Sequence, residues 1–460
     1  MKSGVFKPLA RRHDVTFVLP EPGFHRVTVD VESLDIGKGR LEHLPVHAER
    51  MRLWRRMLHL RNLAWRSGDQ YAALRRHTLN AIGWKAAVTM IPQALPGMHG
   101  VTRRRLLRKI AGTPNDEMIR YIEAAKPDLI FHPCVLEGSY INDLVEVAGA
   151  SSIPLVVIMN SWDNPATKQA MAGEPDLLLV WGEQTEGHAV KYVGLPKSKI
   201  RRFGAAQFEV YGSPPRVSRA DFCRRHGIAP GKTVVLYAGS SKGTDEYAHL
   251  SRLDEAVERG GLADVEIVYR PHPWGMGGKG GHRILDANWK HVHIESSMLD
   301  YLEHVRKGVN AIHFADYRDT HDVLSSVDAL VSPLSTIILE ALLHKKPAMC
   351  FLPVEERDAA HFMHDKDFVH FREMFEMDEV ITVRGLPELV PGVAKLVERA
   401  RDPAFADRVS KAVDYFIEPF DRPWSERIIS LCEEIAGRGA GIGCQGKPKG
   451  PTPAESGIAR

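Results

Sequence analysis

The sequence predicts an α/β protein with two doubly wound parallel lobes. Two stretches of the chain alternate short apolar strands, polar turns and amphipathic helices, a pattern typical of a parallel sheet covered by helices. The run Gly212-Ser213-Pro214-Pro215 between them has the composition of a linker. With 460 residues, the chain is long enough for each lobe to bury a core of its own.

The composition excludes several classes of protein. Hydrophobic residues make up 44% and charged residues 26%, which is too apolar for a disordered chain. The five cysteines stand far apart without a CxxC pair, so neither a disulfide framework nor a structural zinc site is expected. The start of the chain lacks the apolar run of a signal peptide, and no stretch reaches the roughly 18 apolar residues of a membrane span. We therefore expect a cytoplasmic protein, peripheral at the inner face of the membrane if it meets one.

The first lobe is predicted over 1–212. Its opening strand is the mostly apolar run 15–19, which ends at Pro20. After a basic insertion at about 50–112 the alternation resumes with helices at 115–125, 140–148 and 185–193 and strands at 128–132, 154–159, 177–181 and 199–203.

The second lobe is predicted over 213–436. Its predicted strands are 233–237, 265–269, 291–294, 329–331 and 348–352. Helical patterns lie at 219–226, 247–259, 320–325 and 336–343, with a closing helix at 426–435. The remaining segment, 437–460, is rich in Gly, Pro, Lys and Ser, and is predicted to be a disordered tail.

The insertion concentrates positive charge. Residues 50–112 hold fourteen Lys or Arg and a single acid, Asp69, a net charge of +13 in a chain whose total is +3. Such asymmetry is typical of a contact with an anionic partner. The pattern of 52–66 predicts an amphipathic helix, so Arg52, Arg55 and Arg56 are expected to face an anionic membrane or acceptor.

Two other interpretations of this helix stay open. Its apolar stripe, which includes Leu53 and Met57, can instead face the sheet of its own domain and leave the arginines solvated. Nucleic acid is the least favoured partner, because no recognisable binding motif accompanies the charge. We therefore expect no nucleic-acid partner.

Three turns after strands of the second lobe carry candidate anion ligands. Ligands bind at the carboxyl ends of strands in open parallel sheets. The first turn is Ala238-Gly239-Ser240-Ser241-Lys242-Gly243, whose backbone N–H groups and cation suit an oxyanion, although it is not a Walker motif. The second is Arg270-Pro271-His272-Pro273, where two prolines hold a histidine at a strand end. A plain loop and a structural histidine are the alternatives.

The third turn opens a helix with two hydroxyl groups. Ser335 and Thr336 precede an apolar helical run in which Glu340 is the single charged residue. Hydroxyls at this position can cap the helix or help to hold a phosphate. Burial of a carboxylate is costly without a partner, and a ribose diol would satisfy Glu340. The alternative is that Ser335 is an ordinary cap and that Glu340 meets water or an arginine.

Together these turns resemble the donor-binding half of GT-B glycosyltransferases, most closely the bacterial surface-polysaccharide group and the CDP-glycerol glycerophosphotransferases. The His-Pro turn and the Ser-Thr helix start also resemble motifs of bacterial sialyltransferase-like enzymes. The resemblance covers about 220–435. It implies a GT-B fold of two Rossmann-like lobes with a cleft between them, no metal and no cofactor. It also implies donor contacts from Gly239, Ser240, His272, Ser335, Thr336 and Glu340. Lys242 and Arg270 are added to the donor site as cations that would neutralise charge on the departing phosphate.

The first lobe should then hold the acceptor and a catalytic base. A base must lie within hydrogen-bond reach of the attacking hydroxyl. Asp163 and Glu137 follow predicted strands, and Glu21 and His25 follow the first, although each alone is as compatible with a turn residue. His272 is the third catalytic candidate, as donor of a proton to the leaving phosphate. The DxD at 365–367 is read as surface charge.

The resemblance implies a glycosyltransferase of cell-surface polysaccharide biosynthesis. It would move a sugar from a UDP-, CMP- or CDP-linked donor to a glycan or a lipid-linked acceptor. Three alternatives stay open: a polyol-phosphate transferase with a CDP-linked donor, an enzyme similar to UDP-GlcNAc 2-epimerases, and a non-enzymatic relative that only binds a glycan or a nucleotide.

Overall fold

The computed structural model describes residues 4–22, 24, 34–134, 140–168, 171, 173–240, 244–273, 281–307, 316–354, 366–419 and 421–441. Within these ranges it has a four-stranded and a six-stranded sheet, both parallel, and a parallel two-stranded sheet. Helices cover both faces of each larger sheet. The predicted α/β architecture of two lobes is confirmed.

The described strands are β1 Thr16–Pro20, β2 Arg40–Leu44, β3 Ile130–Cys134, β4 Leu155–Met159, β5 Leu177–Val180, β6 Ile200–Arg202, β7 Thr233–Ala238, β8 Val265–Arg270, β9 Val292–Ile294, β10 Ala329–Ser332, β11 Ala348–Leu352 and β12 Val380–Arg384. The α-helices are α1 Lys7–Arg12, α2 Ala48–Leu63, α3 Asp69–Ala94, α4 Met98–Ala111, α5 Asp116–Ala125, α6 Ile141–Ser151, α7 Asn164–Thr167, α8 Glu183–His188, α9 Arg219–Arg225, α10 Glu246–Glu258, α11 Gly281–Asp286, α12 Leu299–Arg306, α13 Tyr317–Ser326, α14 Ile337–Leu343, α15 Val369–Phe375, α16 Leu386–Ala400, α17 Phe405–Val413 and α18 Trp424–Gly441.

The first lobe is built on the sheet β3-β4-β5-β6. All five residues of β4 are buried, as expected for an aliphatic strand covered on both faces. The predicted opening strand does not join this sheet in the described residues. It pairs instead with β2, in register from Thr16 with Arg40 to Pro20 with Leu44. The sequence analysis missed β2 because its alternating charged residues do not form an apolar run.

The second lobe is built on the sheet β12-β11-β10-β7-β8-β9. The chain starts at β7 in the middle, fills one side through β9, and then returns to add β10, β11 and β12 on the other side. This order is that of a doubly wound sheet, and its topological switch point lies between β7 and β10. Ligands bind outside the carboxyl ends of strands at such a point.

The last helix returns to the first lobe. The sequence analysis groups the closing helix with the second lobe, whereas the buried side chains of α18 pack with α1 and with the outer face of β4 and β5. Trp424 is fully buried there, between the rings of Phe6 and Phe203. The helix continues to Gly441, five residues into the segment predicted as a tail; the rest of that segment lies outside the described residues.

The basic insertion forms three helices, α2, α3 and α4, with a common apolar core. Arg50 anchors it to the first lobe. This guanidinium is buried, and it donates to the carboxylates of Asp143 at 2.7 Å and Glu146 at 2.6 Å and to the carbonyls of Ile110 and Thr113. Arg61, whose guanidinium donates to the carbonyl of Tyr192, is a second cation of the insertion that contacts the first lobe.

Candidate functional site

Residues at the carboxyl edge of the second sheet lie in one register row. Val331 pairs with Tyr237, so Ser332 is level with Ala238, and Ala238 pairs with Arg270. In a parallel sheet, residues of one row point to the same face. Ser332 and Arg270 therefore flank the small side chain of Ala238, with Cα atoms about 10 Å apart. This row spans the topological switch point.

Arg270 is a buried cation with unused hydrogen-bonding capacity. Only 5% of the residue is exposed, and its Nη1 atom has no hydrogen-bond partner among the described residues. The nearest described carboxylate oxygen, Oε2 of Glu295, lies 3.9 Å from Nε, beyond hydrogen-bond distance. A buried guanidinium with a free N–H is costly unless a ligand completes it.

Ser332 has the same unused capacity. Its side chain is fully buried, and within the described part of the chain its hydroxyl has no partner. The sequence analysis missed it, because in the sequence Ser332 reads as the first residue of a turn. In the structure it ends β10. Two polar groups of one row thus point into the same space.

His272 lies beside Arg270. Burial, and next the charge of Arg270, lower the pKa of His272 to about 4. The imidazole is therefore neutral near pH 7 and acts as a hydrogen-bonding group there. It has no proton to spare for a leaving phosphate until an anion raises its pKa.

The turn after β7 differs from the expected phosphate loop. The N–H of Gly239 donates to the carbonyl of Arg270 at 2.9 Å, and the N–H of Ser240 donates to Oε1 of Glu246 at 2.7 Å. Glu246 is fully buried, and a Cβ on Gly239 would lie 2.6 Å from its Oε2 atom. These two N–H groups are engaged within the protein and do not face a diphosphate. Lys242 lies outside the described residues.

The two hydroxyl residues before helix α14, Ser335 and Thr336, lie in the turn that follows Ser332. Helix α14 begins at Ile337 with Thr336 as its N-cap, and the Thr336 side chain makes no capping hydrogen bond. Ser335 and Thr336 are half-buried. Neither hydroxyl therefore serves as an ordinary side-chain cap of this helix, and both remain candidates for donor contacts.

Glu340 has a protein partner. Its Oε2 atom accepts a hydrogen bond from the Tyr211 hydroxyl at 2.5 Å, in the segment that joins the lobes. Burial raises the pKa of Glu340, and the Tyr211 hydrogen bond and the charge of Arg270 oppose that rise. Glu340 and His272 therefore both lie within electrostatic reach of one guanidinium.

In the first lobe, Asp163 is an ion-paired carboxylate. Its Oδ2 atom lies 3.0 Å from the ammonium of Lys168. Although burial raises the pKa of Asp163, the charges of Lys168 and His370 bring it below the ordinary value. His370 comes from α15, packs against the ring of Trp162, and has a buried Nδ1 atom without a partner in the described ranges. The sequence analysis missed it. Glu137 and His25 lie outside the described residues.

The predicted amphipathic helix is α2, and its apolar stripe is not free. Leu53, Met57, Leu60 and Ala64 are buried, the first three in the core shared by α2, α3 and α4. Arg52, Arg55 and Arg56 are exposed on the other side. The stripe is therefore packed and the arginines are exposed, as the second interpretation has it, but the stripe faces α3 and α4 and not a sheet.

The described residues contain neither a metal-binding cluster nor a membrane-spanning helix. No group of three or more His, Cys, Asp or Glu side chains could hold a metal ion in these ranges. Within the same part of the chain, no helix has the length and apolar character needed to cross a bilayer. Asp367 of the DxD pairs with Arg76, and Asp365 lies outside the described residues.

No protein-family model and no curated protein sequence matches the chain. Similar solved structures include a variant of the wall teichoic acid polymerase TagF, at 14% identity over 58% of this chain and 59% of that one, with a TM-score of 0.38. The match thus spans less than two thirds of TagF. UDP-GlcNAc 2-epimerase from Neisseria meningitidis is similar at 14% identity over 71% and 82%, with a TM-score of 0.43. MurG from Acinetobacter baumannii is similar at 11% identity over 69% and 78%, with a TM-score of 0.36. Such values assign neither an activity nor a substrate to this chain.

Proposed function

We propose that the chain is a glycosyltransferase of the GT-B kind, which moves a sugar from a nucleotide-linked donor to a hydroxyl of a glycan or lipid-linked acceptor. The observation that carries the proposal is the buried guanidinium of Arg270 with its free Nη1 atom. It lies at the carboxyl edge of a doubly wound sheet, beside the switch point. A phosphate oxygen is the kind of group that would complete it.

The neighbouring residues fit a donor that carries a diphosphate or a phosphate. Ser332 and His272 offer neutral hydrogen-bond donors beside the cation, the hydroxyls of Ser335 and Thr336 would add two at the following turn, and Glu340 would offer acceptor oxygens for a ribose. Charge that develops on the departing phosphate would be stabilised mainly by Arg270, which is already in place and excluded from water. Because Arg270 supplies positive charge, we propose a transfer that needs no metal, and EDTA should leave turnover unchanged.

The acceptor hydroxyl needs a base, and Asp163 is our candidate. It is ionised near pH 7, as an unperturbed aspartate also is; because the charge of Lys168 lowers its pKa despite burial, it is a weak base, and its contribution would depend on its position beside the hydroxyl. Asp163→Asn should reduce turnover by about a hundredfold or more while leaving nucleotide binding intact.

Nucleotide binding to an Arg270 variant tests the donor site. The unliganded Arg270→Met variant should be at least as stable as wild type, because an incompletely paired buried charge is removed. It should nevertheless lose the rise in melting temperature that UDP, CDP, CMP or GDP gives the wild type; a ligand at a hundredfold excess over its dissociation constant adds about 2.7 kcal/mol. Thermal shift measures both, and the nucleotide that binds also identifies the donor.

Arg225→Met is the matched control, since Arg225 is exposed on α9 in the same lobe. It should keep the nucleotide shift. The donor site is refuted if no nucleotide stabilises the wild type, or if Arg270→Met responds as the wild type does.

A further inference from the structure

The second half of helix α3 presents an apolar face to solvent. Five large apolar side chains within fifteen residues are exposed: Trp84, Val88, Ile91, Leu95 and Met98. The first four follow the i, i+4, i+7, i+11 spacing of one helix face. The opposite face packs normally, since Ala87, Met90 and Ala94 are buried. Half of the large apolar side chains that are exposed in the described residues thus lie on this one short segment.

The start of this segment is a break in α3. Gly83 has φ of 73°, a left-handed conformation that ends the first part of the helix and lets the second part take a new direction. The helix ends at Ala94 with Leu95 as its C-cap, and Met98, the last residue of the face, begins α4. Most of the apolar face is therefore carried on its own short piece of helix, joined to the rest of the insertion through the shared core of α2, α3 and α4.

Cations lie beside the face, and the chain around it in sequence has no acid. Residues 70–115 contain no Asp or Glu. The ammonium of Lys85 lies over the Trp84 ring at 5.7 Å, and the guanidinium of Arg56 donates at 2.9 Å to Gln93, between Ile91 and Leu95. Further along, α4 exposes three consecutive arginines, Arg103, Arg104 and Arg105.

We propose that this face, 84–98, inserts into the interface of an anionic lipid bilayer. Exposed apolar side chains that include a tryptophan, with cations around them, fit the boundary between acyl chains and negatively charged headgroups. A soluble anionic glycan would satisfy the cations and leave the apolar side chains in water. A second copy of the chain would cover the apolar side chains but bring two strongly basic insertions together. The proposal goes beyond the donor site and does not depend on it.

Vesicle sedimentation tests the proposal. The wild-type chain should sediment with vesicles of phosphatidylcholine containing about one third phosphatidylglycerol, and should do so less at high salt and with phosphatidylcholine alone. The double variant Trp84→Ser/Val88→Ser should have a partition coefficient onto these vesicles that is lower by about tenfold or more, because both side chains are apolar and largely exposed, at 73% and 65%. For the same reason it should fold normally.

Trp65→Ser is the matched control. Trp65 is as exposed as Trp84, at 74%, but it lies outside the 84–98 face, beside the guanidinium of Arg75. This variant should keep vesicle binding. Equal losses in the two variants, or no binding of wild type to anionic vesicles, would overturn the proposal. So would dimerisation of wild type without lipid that the double variant abolishes. Both variants should keep the nucleotide-induced thermal shift. A loss of vesicle binding with that shift retained therefore concerns the apolar face and not the donor site.

Discussion

The protonation state of His272 depends on what occupies the space beside it. Without a ligand, burial and the charge of Arg270 hold its pKa at about 4. A phosphate within hydrogen-bond distance would favour the charged imidazole and raise that pKa. Nucleotide binding should therefore take up protons at His272, and affinity should increase as the pH falls through the raised pKa of the bound state towards the free-state pKa of about 4.

Calorimetry in buffers of different ionisation enthalpy measures this proton uptake. At about pH 6, the wild type should take up more protons than His272→Gln, because only the wild type has the imidazole. The phosphate of the nucleotide titrates in both complexes, so its contribution cancels in the comparison. Equal uptake by the two proteins would show that His272 does not face the bound phosphate.

At the scale of single residues, the sequence is a better guide to the position of the candidate turns than to the hydrogen bonds that each group makes in them. The Arg270-Pro271-His272-Pro273 turn is visible because prolines mark it. The engagement of the Ser240 N–H by Glu246 is not visible, because it depends on a carboxylate that reaches back from α10. Ser332 was missed for a similar reason, since burial of its hydroxyl depends on where β10 ends.

At the scale of elements, Tyr211 couples the segment between the lobes to helix α14. Its hydroxyl donates to Glu340, its ring stacks on His321 at 5.5 Å between centroids, and it meets His344 edge-on at 4.5 Å. His321 in turn contacts the carbonyl of Ser213 in the linker at 2.7 Å. The contact therefore fixes α14, and with it Glu340, relative to the segment on which the lobes are joined.

A double-mutant cycle measures this coupling. Tyr211→Phe removes the hydroxyl from a buried carboxylate and should lower the free energy of unfolding by about 1–3 kcal/mol. In the Glu340→Gln background the same change should cost less, because a neutral amide needs the hydroxyl less than a carboxylate does. Urea unfolding of the four proteins provides the values. Additive losses would mean that the two groups do not interact in solution.

Elements with a strong apolar period were predictable, and others were not. The buried strand β4 begins one residue from its predicted start and ends where predicted. The insertion was harder, because its helices bury their stripes against one another and expose an apolar face where a sequence analysis expects polar residues. Helix α3 also bends at Gly83, where the helical period is interrupted.

At the scale of the whole molecule, side chains distant in sequence join the two lobes. Gln70 of the insertion is buried; it donates to the carbonyl of Ala166 at 2.9 Å and accepts the N–H of Val369 at 2.7 Å. Beside it, Arg372 pairs with Asp69 at 2.7 Å. No local pattern predicts a contact across some three hundred residues, which is why the sequence analysis treated the insertion as an appendage of one lobe.

Burial of neutral histidines makes the whole fold sensitive to acid. Burial lowers the pKa of His272, His344 and His370 to about 4 each. Unfolded histidines titrate at about 6.5, so below that pH the unfolded chain binds more protons than the folded one, and stability falls. Burial raises the pKa of Glu246 and Glu340, which opposes this trend. Asp163, whose pKa the charge of Lys168 lowers despite burial, adds to the loss, so we expect acid to destabilise the fold.

Stability should therefore be complete above about pH 6.5 and decline towards pH 4, with a limiting slope of about 1.4 kcal/mol per pH unit for each buried histidine. Urea unfolding at several pH values in this window measures the slope. His370→Gln should reduce this slope by the contribution of one histidine, because glutamine does not titrate. This expectation holds whatever the substitution does to stability at neutral pH. The same substitution at His304, which is exposed on α12, should leave the slope as it is in wild type. If both variants decline like the wild type, His370 is not held neutral by the fold, and the packing between α15 and Trp162 is looser than the structure describes.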